Sequence, residues 1–380
     1  MALNTLPNEG LTNRGYPSDR IVTPIIINGD MSVAQRGTSS TGQTGAGYKT
    51  VDRIRLSPGG GMTFTVEQAS ESPTGQGFTK SYKVTSTTGD ATMTAAEYNI
   101  PLQMRMEGST LQSIKKGTSN AEKITFAFWV YATVTGTYVL ELSDDDNNRY
   151  NSQSYTVSSS NTWEKKIVNF PADTTGAFDN DNAKSLTINF WGGAGSDFSS
   201  GTLQTTWTSG TDANRAAGQV NAFASNNNVW QITGLQLEVG EFDSTSIPSF
   251  PFESHENNLR KCQRYYYFLG GVNDTYKRVS TNITNPNNRN QTAGLHYLPV
   301  PMRDTPSVTI PAASSFNGVY IGGSNSFSSM TIGNQSEASS DADFSVLRVT
   351  GTLSGNVGNH CVQVEMTYGS TNKMEVSAEL

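Results

Sequence analysis

The chain has 380 residues, with 26 Lys plus Arg against 33 Asp plus Glu and a formal charge of −7, a balance that argues against a nucleic-acid partner. Charged residues make up 16%, well under the roughly 25% of an ordinary soluble domain, and Gly, Ser, Thr and Asn take their place. Short runs of Thr, Tyr, Val and Phe separated by Gly and Asn predict strands and turns, so an all-β fold is expected and a helix-rich one is excluded.

Residues 1–20 are polar and rich in Pro, Gly and Asn, and read as an N-terminal docking arm. They show neither a basic opening nor an apolar stretch, so no secretory signal is expected and synthesis is placed in a cytoplasm. A strand over Ile21–Ile27, an Asn28-Gly29 turn and a second strand over Met31–Arg36 follow. From residue 62, strands recur at short intervals up to Trp230–Val239, the pattern of a large jelly-roll-like β-sandwich over 21–252. The longest apolar run, Ile124–Val134, falls short of the roughly 18 residues that cross a bilayer, so no membrane insertion is expected. A proline-marked stretch, Ser246–Phe252, closes this unit. Residues 253–266 carry the one amphipathic pattern and predict a connecting helix, acidic early and basic late. The remaining 267–380 predict a smaller C-terminal β-sandwich, with recognition loops at Asn282–Asn290 and Ser324–Ser329.

Alternation sets the faces of two strands. Phe126, Phe128 and Val130 point one way, as do Leu186, Ile188 and Phe190, and these are the expected core. Trp129 and Tyr131, Asn189 and Trp191 then lie off the core. Rings with polar neighbours suit two tasks, stacking on the apolar face of a sugar or covering a subunit interface, and the four residues are candidates for either. Asp144, Asp146 and Asn148 place oxygen ligands at alternate positions of a loop and are a candidate calcium site, set against the plainer reading of a hydrated hairpin turn. No other cofactor is indicated. The acidic clusters lie in Asn-rich turns and not as opposed pairs, so no glycosidase chemistry is expected. Cys262 and Cys361 have no zinc-type spacing and are expected to be buried thiols.

Several strings resemble a family of tailed-phage virion proteins: Asn28-Gly29-Asp30-Met31, Phe126-Ala127-Phe128-Trp129-Val130, Asn161-Thr162-Trp163-Glu164-Lys165, Gly234-Leu235-Gln236-Leu237-Glu238-Val239-Gly240, and Lys261-Cys262-Gln263-Arg264-Tyr265-Tyr266. The resemblance runs from residue 28 to about 267. It implies a jelly roll similar to carbohydrate-binding modules, and a trimeric tail fibre, spike or receptor-binding component of the virion that attaches to the host surface or to glycans. Its partners would be two further copies and other virion proteins. A head decoration, head spike or collar protein is the structural alternative, and a glycan-degrading enzyme the second.

Overall fold

The structure, a computed structural model, describes residues 24–270, 276–334, 344–367 and 372–380. The docking arm expected at 1–20 lies outside the described residues. Fourteen strands build the first unit: β1 (Ser39–Gln43), β2 (Gly47–Tyr48), β3 (Arg55–Gly59), β4 (Thr63–Ala69), β5 (Ser81–Thr88), β6 (Tyr98–Glu107), β7 (Ile124–Ala132), β8 (Gly136–Asp144), β9 (Arg149–Val157), β10 (Glu164–Phe170), β11 (Lys184–Phe190), β12 (Gly193–Ala194), β13 (Thr208–Ser209) and β14 (Val229–Val239). They form two antiparallel sheets. One has six strands in the order β1-β4-β5-β14-β7-β10, and the other runs β13-β9-β8-β11-β6-β3-β2 with β12 beside β6.

The predicted inner faces meet between these sheets. Phe126, Phe128 and Val130 of β7 and Ile188 and Phe190 of β11 are fully buried in one cluster. Phe128 meets Phe190 edge to face at 5.0 Å, and Phe190 touches Trp230 of β14 at 5.8 Å. Burying each such side chain stabilises the fold by roughly 1.5–3 kcal/mol, so this aromatic seam is what sets the sandwich register.

The hairpin expected at Asn28-Gly29 is absent: the described part of 24–37 is bend, turn and coil. Asn28 does take the left-handed conformation that Asn tolerates (φ 61), but its side chain satisfies the loop's backbone directly. Its Nδ2 donates to the carbonyls of Val33 and Asp52, both at 2.9 Å, and its Oδ1 accepts from the Val33 amide at 2.9 Å. Gly29 has no room for a side chain, since a Cβ there would lie 2.2 Å from the Leu235 carbonyl oxygen.

The linker leads into helix α2 (His255–Gln263); a shorter helix, α1 (Ser196–Ser199), lies in the sandwich. Ser254 caps α2 by accepting from the Asn257 amide. Strands β15 (Tyr266–Gly270), β16 (Tyr276–Asn285), β17 (Asn288–Tyr297), β18 (Ser307–Thr309), β19 (Phe316–Tyr320), β20 (Gly323–Asn334), β21 (Val346–Leu353), β22 (Cys361–Thr367) and β23 (Lys373–Ser377) follow. Six of them close a barrel, β16-β17-β21-β20-β19-β22, while β15, β23 and β18 make a separate three-stranded sheet. The smaller unit is therefore a barrel and not a sandwich, because β22 pairs with both β16 and β19 and leaves no free edge between them. The expected recognition loops are mostly strand: Asn282–Asn290 is the end of β16, a two-residue turn at 286–287 and the start of β17, and Ser324–Ser329 belongs to β20.

The joint between the units brings together the loop after residue 27, β6, α2 and the C-terminal residues. Asn258 of α2, buried, accepts from the Asn28 amide at 3.0 Å and donates to Asp30 and Ser32, both at 3.0 Å. Glu107 of β6 accepts from Arg264 at 2.8 Å and from the Tyr265 hydroxyl. The Arg53 guanidinium lies over the Tyr265 ring at 3.5 Å, that of Arg36 over Tyr266 at 3.6 Å, and both arginines pair with Glu379. The consecutive Tyr265, Tyr266 and Tyr267 thus serve in packing, with Tyr267 stacked on His296 of the barrel.

Candidate binding face on the six-stranded sheet

β7 and β10 lie side by side at one edge of the six-stranded sheet, with Lys165 directly opposite Trp129. On the other flank of β7, Gln231 of β14 pairs with Tyr131, and Thr233 with Trp129. Trp129 and Tyr131 therefore emerge together on the outer face, both part-exposed. A third ring joins them. Trp163 lies just ahead of β10, part-exposed, its centroid 5.7 Å from that of Tyr131. The turn that delivers it contains Asn161 in the left-handed conformation (φ 55); the Asn161 amide donates to the Ala132 carbonyl and its Oδ1 accepts from the Tyr131 hydroxyl at 3.1 Å. That bond fixes the Tyr131 ring, and with it the platform.

The floor beneath the rings is polar and satisfied. Gln231 is 4% exposed and accepts from Ser81, and Thr233 is fully buried. The rim retains unused donors: the indole N–H groups of Trp129 and Trp163 and the exposed Lys165 ammonium have no hydrogen bond or ion pair among the described residues. The carboxylate at this edge, Glu164, is already committed. Burial would raise its pKa, but hydrogen bonds from Lys166 and the Ser158 and Ser159 amides outweigh that and hold it below the ordinary range. Flat rings beside free donors can stack on a sugar ring and bond its hydroxyls. Further along the same face the linker folds back: Phe250 meets Phe78 edge to face and Phe252 meets it tilted, both at 5.0 Å between centroids, and Phe78 rests against Gly234. Phe252 is 53% exposed, so the aromatic surface continues past the platform.

Asn189 and Trp191 do not belong to this face. They lie on or just after β11 in the opposite sheet, so the four expected residues split between the two outer sides of the sandwich. Both are also covered. Asn189, 2% exposed, accepts from Gln103 and donates to Glu141, each at 2.9 Å, and Glu141 is clamped by Arg215 at 2.8 Å. Trp191, 1% exposed, packs with Ile100, Val139, Ala216 and Phe198 beneath the Arg215 guanidinium. The segment after β12 lies over this side of β11, and these residues are its anchor.

The calcium expectation is corrected too. Asp144 is fully buried, and a cation already sits on it: the Lys116 ammonium, 5% exposed, bonds Asp144, lies 3.0 Å from Asp173, and donates to the carbonyls of Thr175 at 3.2 Å and Gly176 at 2.7 Å. The other Asp144 oxygen accepts from the Asp146 and Asn147 amides, closing the turn. Asp146 accepts from the Asp179 amide, and among the described residues Asn148 receives only the Tyr150 hydroxyl at 3.4 Å. Among the described residues no group of three or more acidic, His or Cys side chains is placed to hold a metal ion. Cys262 is buried as expected, whereas Cys361 is exposed. Among the described residues no helix is long and apolar enough to cross a membrane.

No family model matches the chain, and no curated protein matches it. Among solved structures, the enzymatically active domain of bacteriophage CBA120 tailspike protein 4 is 12% identical, with a TM-score of 0.29 over 57% of this chain and 21% of that one, so the chain spans about a fifth of that protein's length. A family 11 carbohydrate-binding module of a cellulosomal cellulase from Clostridium thermocellum is 13% identical, with a TM-score of 0.28 over 53% of this chain and 99% of the module. A xylan-binding domain from Paenibacillus barcinonensis is 12% identical, with a TM-score of 0.25 over 56% of this chain and the whole of that domain.

Proposed function

We propose that this chain is an adhesive, non-catalytic component of a phage particle, of the tail fibre, spike or receptor-binding type, which holds host-surface glycans on the Trp129, Tyr131 and Trp163 face. The observation that carries the reading is the convergence of three part-exposed rings, two from β7 and one from the turn before β10, beside buried polar residues of β14. The strings that resemble tailed-phage virion proteins support placement on the particle surface, and a homotrimer beside other virion proteins is the assembly the resemblance implies. Commitment of Glu164 to its turn supports binding without hydrolysis.

A purely structural role, as head decoration, head spike or collar, is favoured by Tyr297 and Ile321 of the barrel, which are 69% and 87% exposed and would be covered by neighbouring subunits. Adsorption to host cells separates the two roles. Trp129→Ala and Trp163→Ala should each weaken binding by about 2 kcal/mol, roughly thirtyfold, as loss of a central aromatic anchor does, while particles still assemble. Failed assembly with unchanged adsorption of the purified chain would favour the structural role.

A further inference from the structure

The barrel's outer wall bears a hollow away from the aromatic platform. Four neighbouring strands, β16, β17, β21 and β20, enclose a hollow of about 590 Å³ on the outer wall, within the size range of small-ligand sites. Its shape follows from the register. Ala293 of β17 pairs with Ile283 on one side and Thr350 on the other, so a short side chain stands between taller ones. Thr350 pairs in turn with Thr331, and Thr352 with both Ser329 and Gln291.

The chemistry of this wall is polar, and its side chains are largely uncommitted. Ser329, Thr331, Thr350 and Thr352 present hydroxyl groups, and Arg348 is exposed; among the described residues none of the five has a side-chain hydrogen bond or ion pair. Gln291 accepts from Asn285 at 3.3 Å and keeps its own amide donors free. Among the described residues, Arg348 is the one charged residue lining the hollow, and no carboxylate lines it. Ile283, 70% exposed, supplies an apolar wall.

We infer that this hollow binds a saccharide bearing a carboxylate. Hydroxyl and amide groups on alternate positions of three strands match a polyol, Ile283 matches the apolar face of a sugar ring, and a lone guanidinium matches one carboxylate through paired N–H donors. The site lies on a different domain from the aromatic platform and does not depend on it.

The test uses the full chain and a panel of carboxylated oligosaccharides (oligogalacturonate, hyaluronan fragments and oligosialic acid), each beside its methyl-esterified form, by calorimetry. Saturable binding is expected for at least one acid, weakened tenfold or more by esterification and by Arg348→Gln, stronger at low salt, and unchanged in the Trp129→Ala/Trp163→Ala double variant. Thermal melting confirms that Arg348→Gln, a change at an exposed residue, leaves the fold intact. The inference is overturned if no acid binds, if Arg348→Gln binds as well as the parent, or if binding is lost in the platform variant alone. It is also overturned if sedimentation shows an oligomer that Ile283→Arg dissociates, since the wall would then be a subunit contact.

Discussion

Replacing Lys116 by Met tests whether an internal ammonium takes the place of a metal ion. In the parent, that ammonium is surrounded by four oxygen groups, the carboxylates of Asp144 and Asp173 and the carbonyls of Thr175 and Gly176. Methionine fills a similar volume without charge, so the variant leaves buried carboxylates facing each other. Asp173 keeps Arg149, which bonds it through two nitrogens at 2.8 and 2.9 Å. Asp144, fully buried, keeps only the amide groups of its own turn. Removing one partner of a buried ion pair costs about 3–5 kcal/mol, and the retained Arg149 places this case near the lower end. For a domain of this size about 3 kcal/mol corresponds to a fall of roughly 6–12 °C in melting temperature. The oxygen cage left behind should then accept calcium. Differential scanning calorimetry with and without millimolar calcium is the assay. The parent should be insensitive to calcium and to chelator, while the variant should recover about 2.7 kcal/mol when calcium reaches a hundred times its dissociation constant. A variant that melts within a degree or two of the parent, or a parent that chelator destabilises, would refute the reasoning.

Asn28→Ala should destabilise the chain by about 2–4 kcal/mol, because it removes buried hydrogen bonds to Val33 and Asp52 and places alanine in the left-handed region; urea denaturation measures it, and a loss under 1 kcal/mol would mean that the joint is held elsewhere. Asp52 gives a pH signature. Burial, only partly offset by hydrogen bonds from Gln35 and by Arg36, pushes its carboxyl from 3.8 up to about 6. A raised carboxyl favours folding below pH 3.8 and loses that advantage as pH climbs to 6, so the stability of Asp52→Asn relative to the parent should rise by about 3 kcal/mol across that window and stay level above it. A difference that does not change with pH would contradict the burial argument. His296 works in the opposite sense. Burial lowers its pKa despite the Val279 carbonyl at its Nδ1, so barrel stability should be complete above pH 6.5 and erode as pH falls, and His296→Gln should flatten that loss in melts of the barrel transition.

Strand-level patterns carried much of this architecture, and pairing between strands carried the rest. Phe126, Phe128 and Val130 could be read inward and Trp129 and Tyr131 outward from period two alone, since that depends only on the local chain. Whether two strands share a sheet depends on long-range pairing, and this is why Asn189 and Trp191 were grouped with rings that lie across the sandwich from them. Trp163 was missed as a platform member because it sits in a turn before its strand, where alternation has no meaning; the Asn161 left-handed turn and the β7–β10 pairing bring it in. The Asp144 loop did look like a cation site and does hold a cation, but the ion is the side chain of Lys116, 28 residues earlier in the sequence, which no local motif announces. The Asn28-Gly29 pair does form a turn, with Asn28 left-handed, yet side-chain bonding to the loop and to α2 replaces the hairpin.

Hydroxyl-radical footprinting of the purified chain, with and without polysaccharide extracted from the host surface, tests the binding face most directly. Trp129, Tyr131 and Trp163 should lose reactivity as polysaccharide is added, at a fixed protein concentration, while the buried Trp191 and Trp230 stay unreactive throughout. Protection of the three rings that follows protein concentration and ignores polysaccharide would assign them to a subunit contact and contradict the account.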